Sequence, residues 1–513
     1  MVHGQQTSAK PQLYRVALLL TIFSALTASA QTITLLDPVP SLLSGPHVTT
    51  NVNALATRGR AVSGTAADGV TELVLRIPAT AAGEQFTLTV INDQGQRSQS
   101  AAEDGGLGPV GSTTFTSSQL IVTAVATSRG PMAFAIYGAP IDFPRPEGQD
   151  AGASQRSITL QSEAPNTQAM SDTTVTLLRP PLVLIHGLWG SAQSWSDFSP
   201  LTTDPRFSVN ITDYSAVIGG QILSYSPSYP IWAIGSLAGS PASSLGFAYN
   251  APRVLKQVSQ FINTFRSGTN PGNVPVAAVQ ADILAHSMGG DITRSFPFVK
   301  QFYADTTFAL GMVHKVITIA TPHWGSPLAT QLVNNDNQCV RGILALSGSP
   351  SFTSVTFTNG TKVSGGVGDL QGDGFGGNLS TALKKLQTPI AHPLPTAMIQ
   401  GLESQSQLDG LDSSPVAAYI RFVCGGDSLA DNLTSAGWPT IFGQESDSIV
   451  PALSEVAGLS SFTLVQGVIH SSSAELLGFG PPAELDAASG IANTATDLLN
   501  TPVSDPLYVL LPQ

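Results

Sequence analysis

The sequence predicts a two-part chain, with an all-β N-terminal domain over residues 31–178 and a domain of alternating strands and helices over 179–513. Residues 86–90 alternate apolar side chains with threonine, which is the pattern of a strand with one buried face. Residues 182–185 form a continuous apolar run, as in a strand buried on both faces of a parallel sheet. The stretch ADILAHSMGGDITR at 281–294 then combines a short strand, a tight turn and the beginning of a helix.

The composition restricts the class of partner. The chain has 513 residues, only 11% of them charged, and its formal net charge is −12. A nucleic-acid-binding protein would present a basic stripe, so we expect no nucleic-acid partner. The 49 glycines and 36 prolines predict many loops, and the length leaves room for several domains with sizeable cores.

Residues 1–30 predict a secretory signal peptide. Lys10 and Arg15 supply a positive region, 16–26 is a short apolar run, and the A-x-A sequence at 28–30 fits a cleavage site. The alternative is an uncleaved membrane anchor, for which the apolar run is short. We therefore expect a protein that is secreted, periplasmic or exposed at the cell surface.

Cys339 and Cys424 are the only cysteines. Outside the cytoplasm they could pair, but the sequence does not show whether they meet in space, so the disulfide remains open. Two cysteines without a matching histidine pattern do not predict a zinc site.

The N-terminal domain resembles a β-sandwich in the spacing of its strands. Apolar runs at 73–75, 120–122 and 132–137 are bounded by turn-forming residues. The stretch 138–157 is rich in Pro, Gly, Asp and Gln, which predicts a linker or long loop. Two roles remain open for this domain: a structural or interaction module, or a module that binds a polymer, a cell surface or the substrate.

Ser287 is the candidate nucleophile. It occupies the centre of Ala285-His286-Ser287-Met288-Gly289, in which the residues two before and two after the serine are small, as a tight strand-to-helix turn requires. The helix that follows places backbone N–H groups with partial positive charge beside the Ser287 hydroxyl.

Two motifs together resemble the α/β-hydrolase superfamily, specifically its lipase and esterase branch. They are RPPLVLIHGLWG at 179–190 and DILAHSMGG at 282–290, and the resemblance extends in patches to the C-terminus. It implies a mostly parallel sheet flanked by helices with an inserted cap or lid, which we expect around 334–414. It also implies an oxyanion hole formed by the backbone N–H groups of Leu188 and Met288. His186 is interpreted as a structural residue that orients this loop.

The remaining candidate residues come late in the chain. GQESDSIVP at 443–451 resembles the acid loop of bacterial lipases, and GVIH at 467–470 resembles their histidine loop. The order Ser287, Asp447, His470 is the one that this fold uses. In such a triad the histidine accepts the serine proton, and the aspartate fixes the imidazole tautomer. Asp427 is a competing acid, because it follows an apolar run at 416–423 that predicts another buried strand.

Other segments have simpler interpretations. The pattern at 252–265 predicts an amphipathic helix, and 313–320 predicts a buried strand. His323 is interpreted as structural, and the acidic sequence at 369–374 as turn chemistry rather than a calcium loop.

Two positions depart from the pattern of the relatives. Calcium-dependent relatives carry an aspartate where this chain has Ser472, which argues against their calcium site. Asp291 replaces an apolar residue in the nucleophile helix, where it would complement the helix N-terminus or alter the pocket.

The sequence thus predicts an exported serine hydrolase that cleaves carboxylic esters, with lipid or other hydrophobic esters favoured, through an acyl-enzyme on Ser287. An acyltransferase or amidase would use the same triad, and a non-catalytic binding protein with a vestigial hydrolase domain is the alternative from another class. We expect a small-molecule or lipid ester as substrate, with no cofactor and no metal. Peripheral contact with a membrane or lipid surface, and the oligomeric state, stay open.

Overall fold

The computed structural model describes residues 32–164, 169–334, 337–471 and 482–512. The predicted signal peptide at 1–30 and Ser472 lie outside these ranges. Within them, no helix is both long enough and apolar enough to cross a membrane.

Two six-stranded sheets form the first part of the chain. One has the order β10-β11-β6-β1-β4, with β8 also on β11. The other has the order β17-β5-β13-β12-β7-β9, in which β17 (Val276–Ala277) comes from later in the chain. Buried side chains of both sheets share one core, so the predicted sandwich-like domain is confirmed. Its elements are β1 (Thr34–Asp37), β2 (Leu43–Ser44), β3 (His47–Val48), α1 (Val52–Thr57), β4 (Arg60–Ala61), β5 (Gly64–Ala66), β6 (Glu72–Pro78), β7 (Gln85–Ile91), α2 (Ala101–Asp104), β8 (Gly106–Gly108), β9 (Gln119–Thr123), β10 (Val125–Thr127), β11 (Gly130–Gly138), β12 (Gln155–Ala164) and β13 (Ala169–Leu178).

A mostly parallel sheet forms the second part. Its order is β15-β14-β18-β19-β22-β23, all parallel, and β24 pairs with β22 antiparallel. The buried run at 182–185 is β14, next to the strand that leads to Ser287. Strands β16, β20 and β21 form a separate small sheet, and β17 belongs to an N-terminal sheet. The strands of this part of the chain are β14 (Leu182–Ile185), β15 (Val209–Ile211), β16 (Ile222–Ser226), β17 (Val276–Ala277), β18 (Ala281–His286), β19 (Val313–Ile319), β20 (Ser354–Phe357), β21 (Lys362–Ser364), β22 (Leu394–Leu402), β23 (Thr463–Gln466) and β24 (Val509–Leu511).

Helices cover this sheet. The predicted helix at 252–265 lies inside α3, whose buried face includes Val254, Val258 and Ile262. The helices are α3 (Phe247–Arg266), α4 (Met288–Arg294), α5 (Pro327–Asn334), α6 (Gln338–Leu346), α7 (Gly366–Asp369), α8 (Thr381–Leu386), α9 (Gln405–Ser413), α10 (Pro415–Val423), α11 (Ser428–Asp431), α12 (Trp438–Phe442), α13 (Ala452–Glu455) and α14 (Ile491–Leu499). The predicted fold class, a mostly parallel sheet flanked by helices after an all-β domain, is confirmed.

Residues 416–423 are not the buried strand that their apolar run predicts. They lie in α10, which begins with Pro415 at its first position and is capped by the Ser414 side chain. Ala417 and Ile420 face inward, whereas Phe422 is 87% exposed. The run is apolar on both faces, so its composition alone does not distinguish a half-exposed helix from a strand.

The predicted cap at 334–414 contains a strand of the central sheet. Residues 394–402 form β22, between β19 and β23, so the inserted elements end before Leu394. Thr396, Gln400 and Gly401 interrupt the apolar pattern of this strand, which is why the sequence does not reveal it. Cys339 of α6, in the inserted region, forms a disulfide with Cys424 at the end of α10, which follows β22 in the chain.

The two parts of the chain are joined by buried contacts. Strand β17 adds to the N-terminal sheet beside β5. The buried Lys315 of β19 forms an ion pair with Asp142, which lies in the connection from β11 to β12. The stretch 138–157, predicted as a linker or long loop, therefore includes a connection that anchors the sandwich to the central sheet.

Candidate active site

Ser287 stands at a strained turn between β18 and α4. Its backbone has φ 56° and ψ −135°, a region that costs of the order of 1–3 kcal/mol for a residue with a side chain. The turn brings the helix so close to β14 that a Cβ on Gly289 would lie 2.4 Å from the Ile185 carbonyl oxygen. Position 289 therefore requires glycine, whereas the strand position of Ala285 accommodates a methyl group in the core.

The structure brings Ser287, His470 and Asp447 into one hydrogen-bonded chain. Ser287 Oγ lies 2.8 Å from His470 Nε2, and His470 Nδ1 lies 2.5 Å from Asp447 Oδ2. The other oxygen of Asp447 accepts the backbone N–H groups of Ile449 and Val450 at 2.8 and 2.6 Å. The aspartate is fully buried and the other two side chains nearly so.

Two loops at one edge of the sheet hold the histidine and the acid. Asp447 lies between α12 and α13, and His470 follows β23. The His470 N–H donates to the Asp447 carbonyl oxygen at 2.9 Å, so a backbone hydrogen bond fixes one loop against the other. Strand β23 lies between the two residues in the chain.

Leu188 and Met288, the residues predicted to donate to an oxyanion, lie close together. Their side chains pack around Gly366, where an added Cβ would lie 2.5 Å from Leu188 Cδ1 and 3.1 Å from Met288 Sδ. Met288 is the first residue of α4, so its N–H has no acceptor within the helix. In the described part of the chain, neither N–H donates a hydrogen bond to a protein atom.

His186 orders the loop that carries Leu188. It is fully buried, stacks on Tyr214 with ring centroids 3.9 Å apart, and places Nδ1 3.1 Å from the Gly187 carbonyl oxygen. Burial lowers the pKa of His186 to about 4, so the imidazole is neutral near pH 7. Trp189 then ties the loop to the inserted region by donating Nε1–H to the Pro350 carbonyl at 2.9 Å.

The other candidate residues lie apart from this chain of hydrogen bonds. Asp427 caps α11 by accepting the Leu429 N–H, and Asp373 accepts three backbone N–H groups of its own turn. His323 is buried against Arg294, whose Nη1 lies 3.0 Å from His323 Nδ1. Asp291 is fully buried in α4, where it forms a long ion pair with Arg294.

Sequence reasoning missed three buried residues around the acid and the histidine. His286 Nε2 lies 3.0 Å from Glu484 Oε2 and 3.1 Å from the His470 carbonyl oxygen. Glu455 and Glu484 have carboxyl oxygens within 4.8 Å of that of Asp447. Neither glutamate belongs to a recognisable motif, and only His286, inside the motif around Ser287, could have drawn attention by its position.

These groups do not define a metal site. Both clusters of histidine and carboxylate that could hold a cation include His470 or Asp447, which are already engaged with each other. We therefore assign no metal to them.

Residues 181–358 match the family described as "Putative serine esterase (DUF676)", a segment that includes Ser287, Leu188 and Met288 but ends before Asp447 and His470. A search of curated protein sequences finds no match.

Solved structures with a similar fold come from several bacteria. The mature lipase BlEst2 of Bacillus licheniformis is 15% identical, covers 62% of this chain and 91% of its own, and gives a TM-score of 0.35. An extracellular α/β-hydrolase from a Paenibacillus species is 11% identical, covers 64% of this chain and 100% of its own, and gives 0.28. A Listeria innocua protein is 12% identical. The match covers 62% of this chain and 92% of that protein, with a TM-score of 0.27.

The sheet order and the turn at Ser287 are those of the α/β-hydrolase fold, as the sequence resemblance implies. The matched segment is similar to a family described as a putative serine esterase. Fold and family match together support a serine hydrolase.

Proposed function

We propose that this protein is an exported serine hydrolase that cleaves carboxylic esters through an acyl-enzyme on Ser287. The observation that carries the proposal is the unbroken hydrogen-bonded chain from Ser287 Oγ through His470 to Asp447. Nucleophile, base and orienting acid are within hydrogen-bond reach of one another, which is the arrangement that nucleophilic catalysis requires.

In acylation, His470 Nε2 takes the proton of Ser287 while Oγ attacks the ester carbonyl carbon. The carbonyl oxygen becomes an oxyanion that accepts the N–H groups of Leu188 and Met288, and one such donor typically contributes about 2.7–4 kcal/mol. The tetrahedral intermediate collapses when the bond to the leaving oxygen breaks. His470 gives its proton to that oxygen, and the alcohol departs.

In deacylation, water takes the place of the alcohol. His470 accepts a proton from water while the water oxygen attacks the acyl carbon. The same two N–H groups stabilise the second oxyanion. Collapse releases the carboxylic acid and returns the proton to Ser287. Asp447 stabilises the imidazolium without taking its proton.

Exposed apolar side chains around the inserted region favour a lipid or other hydrophobic ester. Ile231 is 87% exposed and Trp232 50%, both in the 3-10 helix Ile231–Gly239 that packs on α6. Phe422 of α10 is 87% exposed, and the disulfide joins α6 to the end of α10. Large exposed apolar side chains of this kind are typical of surfaces that meet lipid or apolar ligands, so peripheral contact with a lipid surface is part of the proposal.

Export is proposed from two features. The N-terminal sequence has the organisation of a signal peptide, and the disulfide between Cys339 and Cys424 requires an oxidising compartment to persist.

The test compares the mature protein with Ser287→Ala on p-nitrophenyl esters of short and long acyl chains. We expect the wild type to release nitrophenol and the variant to lose nearly all of this activity. Ser295→Ala is the matched control, because Ser295 is also buried and caps the same helix without contacting His470. A fluorophosphonate probe should label Ser287 in the wild type and in Ser295→Ala. A folded wild type that neither labels nor hydrolyses any ester contradicts the proposal and leaves the binding-protein alternative.

The molecule that accepts the acyl group from Ser287 distinguishes a hydrolase from an acyltransferase. Adding a short alcohol to the assay and separating free acid from new ester measures how the acyl-enzyme partitions. We expect free acid to dominate in water, and dominant ester formation at low alcohol concentration would assign an acyltransferase.

A further inference from the structure

A second layer of buried polar groups lies behind Asp447 and His470. Glu484 is fully buried, follows the histidine loop in the chain, and has one carboxyl oxygen 3.0 Å from His286 Nε2 and 3.8 Å from His470 Nδ1. Its carboxyl group also faces that of Asp447, within 4.8 Å. One side chain therefore contacts the base, the orienting acid and the residue that precedes the nucleophile.

His286 connects this layer to the backbone of the histidine loop. Its Nε2 lies within hydrogen-bond distance of two oxygens, Glu484 Oε2 and the carbonyl oxygen of His470, so Nε2 carries the proton and donates to both. The rings of His286 and His470 lie 4.7 Å apart. Burial lowers the pKa of His286 well below its usual value, which keeps the ring neutral.

We propose that Glu484 is a positioning residue of the active site, which holds His470 and Asp447 in their reactive geometry through its contacts with both residues and with His286. The proposal rests on the proposed function, because it assigns the base and the acid as that function does. Glu484 touches no reacting atom, so it acts through His470 and Asp447.

The geometry also limits how many of the neighbouring carboxyl groups can be ionised at once. Three carboxyl groups, those of Asp447, Glu455 and Glu484, lie within 4.8 Å of one another and are buried, and no lysine or arginine of the described residues forms an ion pair with them. Like charges at this separation away from water do not ionise together. Asp447 accepts two backbone N–H groups and the imidazole, which stabilise its anion.

The carboxyl groups that keep their protons are therefore the neighbours of Asp447. Burial and the Asp447 carboxylate raise the pKa of Glu484 well above its usual value, and burial and the same carboxylate raise that of Glu455. Glu403, also close to Asp447, has its pKa raised to about 7 by burial. As a neutral acid, Glu484 can accept the His286 N–H and donate its own proton toward Asp447, leaving one net negative charge for the imidazolium to pair with.

The experiment compares Glu484→Gln with Glu484→Ala. Glutamine is neutral and nearly isosteric, and its amide can accept from His286 and donate toward Asp447. We expect Glu484→Gln to keep near wild-type kcat/KM and an unchanged acid limb of the pH profile, the limb that reports the base of the free enzyme. We expect Glu484→Ala to lower kcat and the rate of fluorophosphonate labelling on the order of 10²-fold, with KM little changed, because the base is then misplaced.

Glu72→Gln is the matched control. Glu72 lies in β6 of the N-terminal sandwich, and burial raises its pKa to about 7, so this variant replaces a half-buried carboxyl in the other part of the chain. It should leave the kinetics and the pH profile unchanged.

A third readout does not depend on turnover. The His470 Nδ1–H should give a downfield proton resonance in wild type and Glu484→Gln, and this resonance should be lost or shifted in Glu484→Ala. The proposal is overturned if Glu484→Ala keeps the wild-type resonance and labelling rate in a folded sample. It is also overturned if Glu484→Gln moves the acid limb to lower pH, because that shift would mean that an ionised carboxylate had been removed. If the wild type hydrolyses no ester but the three proteins show the expected His470 Nδ1–H resonances, the proposed function is contradicted and the positioning role of Glu484 is not.

Discussion

The backbone of Gly187 lies directly against the side chain of Ser287. A Cβ built on Gly187 would lie 2.5 Å from Ser287 Cβ and 3.0 Å from Ser287 Oγ, closer than non-bonded carbon atoms approach. The loop after β14 and the turn after β18 therefore share one tightly packed contact. The expected oxyanion donor, Leu188, is the next residue along the loop, so this contact sets its distance from the nucleophile.

Gly187→Ala should consequently abolish most activity. The added methyl group either turns Ser287 away from His470 or moves the loop that carries Leu188, and a displacement of about 1 Å can cost on the order of 10²-fold in rate. The measurement is kcat on a p-nitrophenyl ester together with the rate of fluorophosphonate labelling. Gly220→Ala is the control, because a Cβ there has no neighbour within 4 Å. Equal loss of activity in both variants would show that the effect is not specific to the contact with Ser287.

Asp447→Asn should reduce kcat by about 10⁴-fold, as in other Ser-His-Asp triads. The two backbone N–H groups at Oδ1 favour the amide oxygen there, so the amide nitrogen of asparagine would face His470 Nδ1. Nδ1 would then act as acceptor and Nε2 would carry the proton, which prevents Nε2 from accepting the proton of Ser287. Kinetic assays at several pH values provide the measurement.

The competing acid supplies the control for that variant. Asparagine at this position would keep an oxygen that can accept the Leu429 N–H and cap α11, so Asp427→Asn should leave kcat unchanged and alter stability little. If Asp427→Asn abolished activity and Asp447→Asn did not, the assignment of the acid would be wrong.

The sequence predicts the central features of the fold because the residues that determine them are local. The turn at Ser287 needs small neighbours, and the buried strand before His186 needs a continuous apolar run, so both are visible in a few residues. The hydrogen bonds from Ser287 to His470 and Asp447 join loops that are distant in the chain, and the sequence places those two residues only through resemblance to bacterial lipases.

Features that depend on distant packing are not visible in this way. The apolar run in α10 is interpreted as a strand because Phe422 and Tyr419, both exposed, add to its hydrophobicity. The signal for a helix, Ser414 followed by Pro415 at its beginning, is present but weaker than the run itself. Glu484 becomes relevant only when the chain returns beside His470, and no local pattern indicates that contact.

The disulfide should stabilise the folded protein by linking α6 to the end of α10. Cys339 and Cys424 are 85 residues apart in sequence, and a cross-link of this length restricts the unfolded chain and typically contributes about 2–4 kcal/mol. The double variant Cys339→Ser, Cys424→Ser should therefore unfold at a lower urea concentration than the oxidised protein. Wild type treated with dithiothreitol should match the variant. Identical midpoints for the oxidised wild type and the variant would contradict the prediction.

Asp291 should make stability depend on pH. Its side chain is fully buried in α4, one carboxyl oxygen has no hydrogen-bond partner among the described residues, and burial raises its pKa from 3.8 to about 7. The unfolded chain loses this proton near pH 3.8, whereas the folded protein keeps it up to about pH 7. The contribution of Asp291 to the free energy of unfolding is therefore fully present below pH 3.8 and is lost as the pH rises to about 7.

Asp291→Asn removes this dependence, because asparagine does not titrate. The free energy of unfolding of the variant, minus that of the wild type, should become more positive between about pH 5 and about pH 8. Urea unfolding of both proteins at the two pH values measures the difference, and the other buried carboxyls, which titrate in both proteins, cancel in the comparison. A difference that does not change with pH would mean that Asp291 is already ionised in the folded protein at about pH 5, held in that state by its ion pair with Arg294.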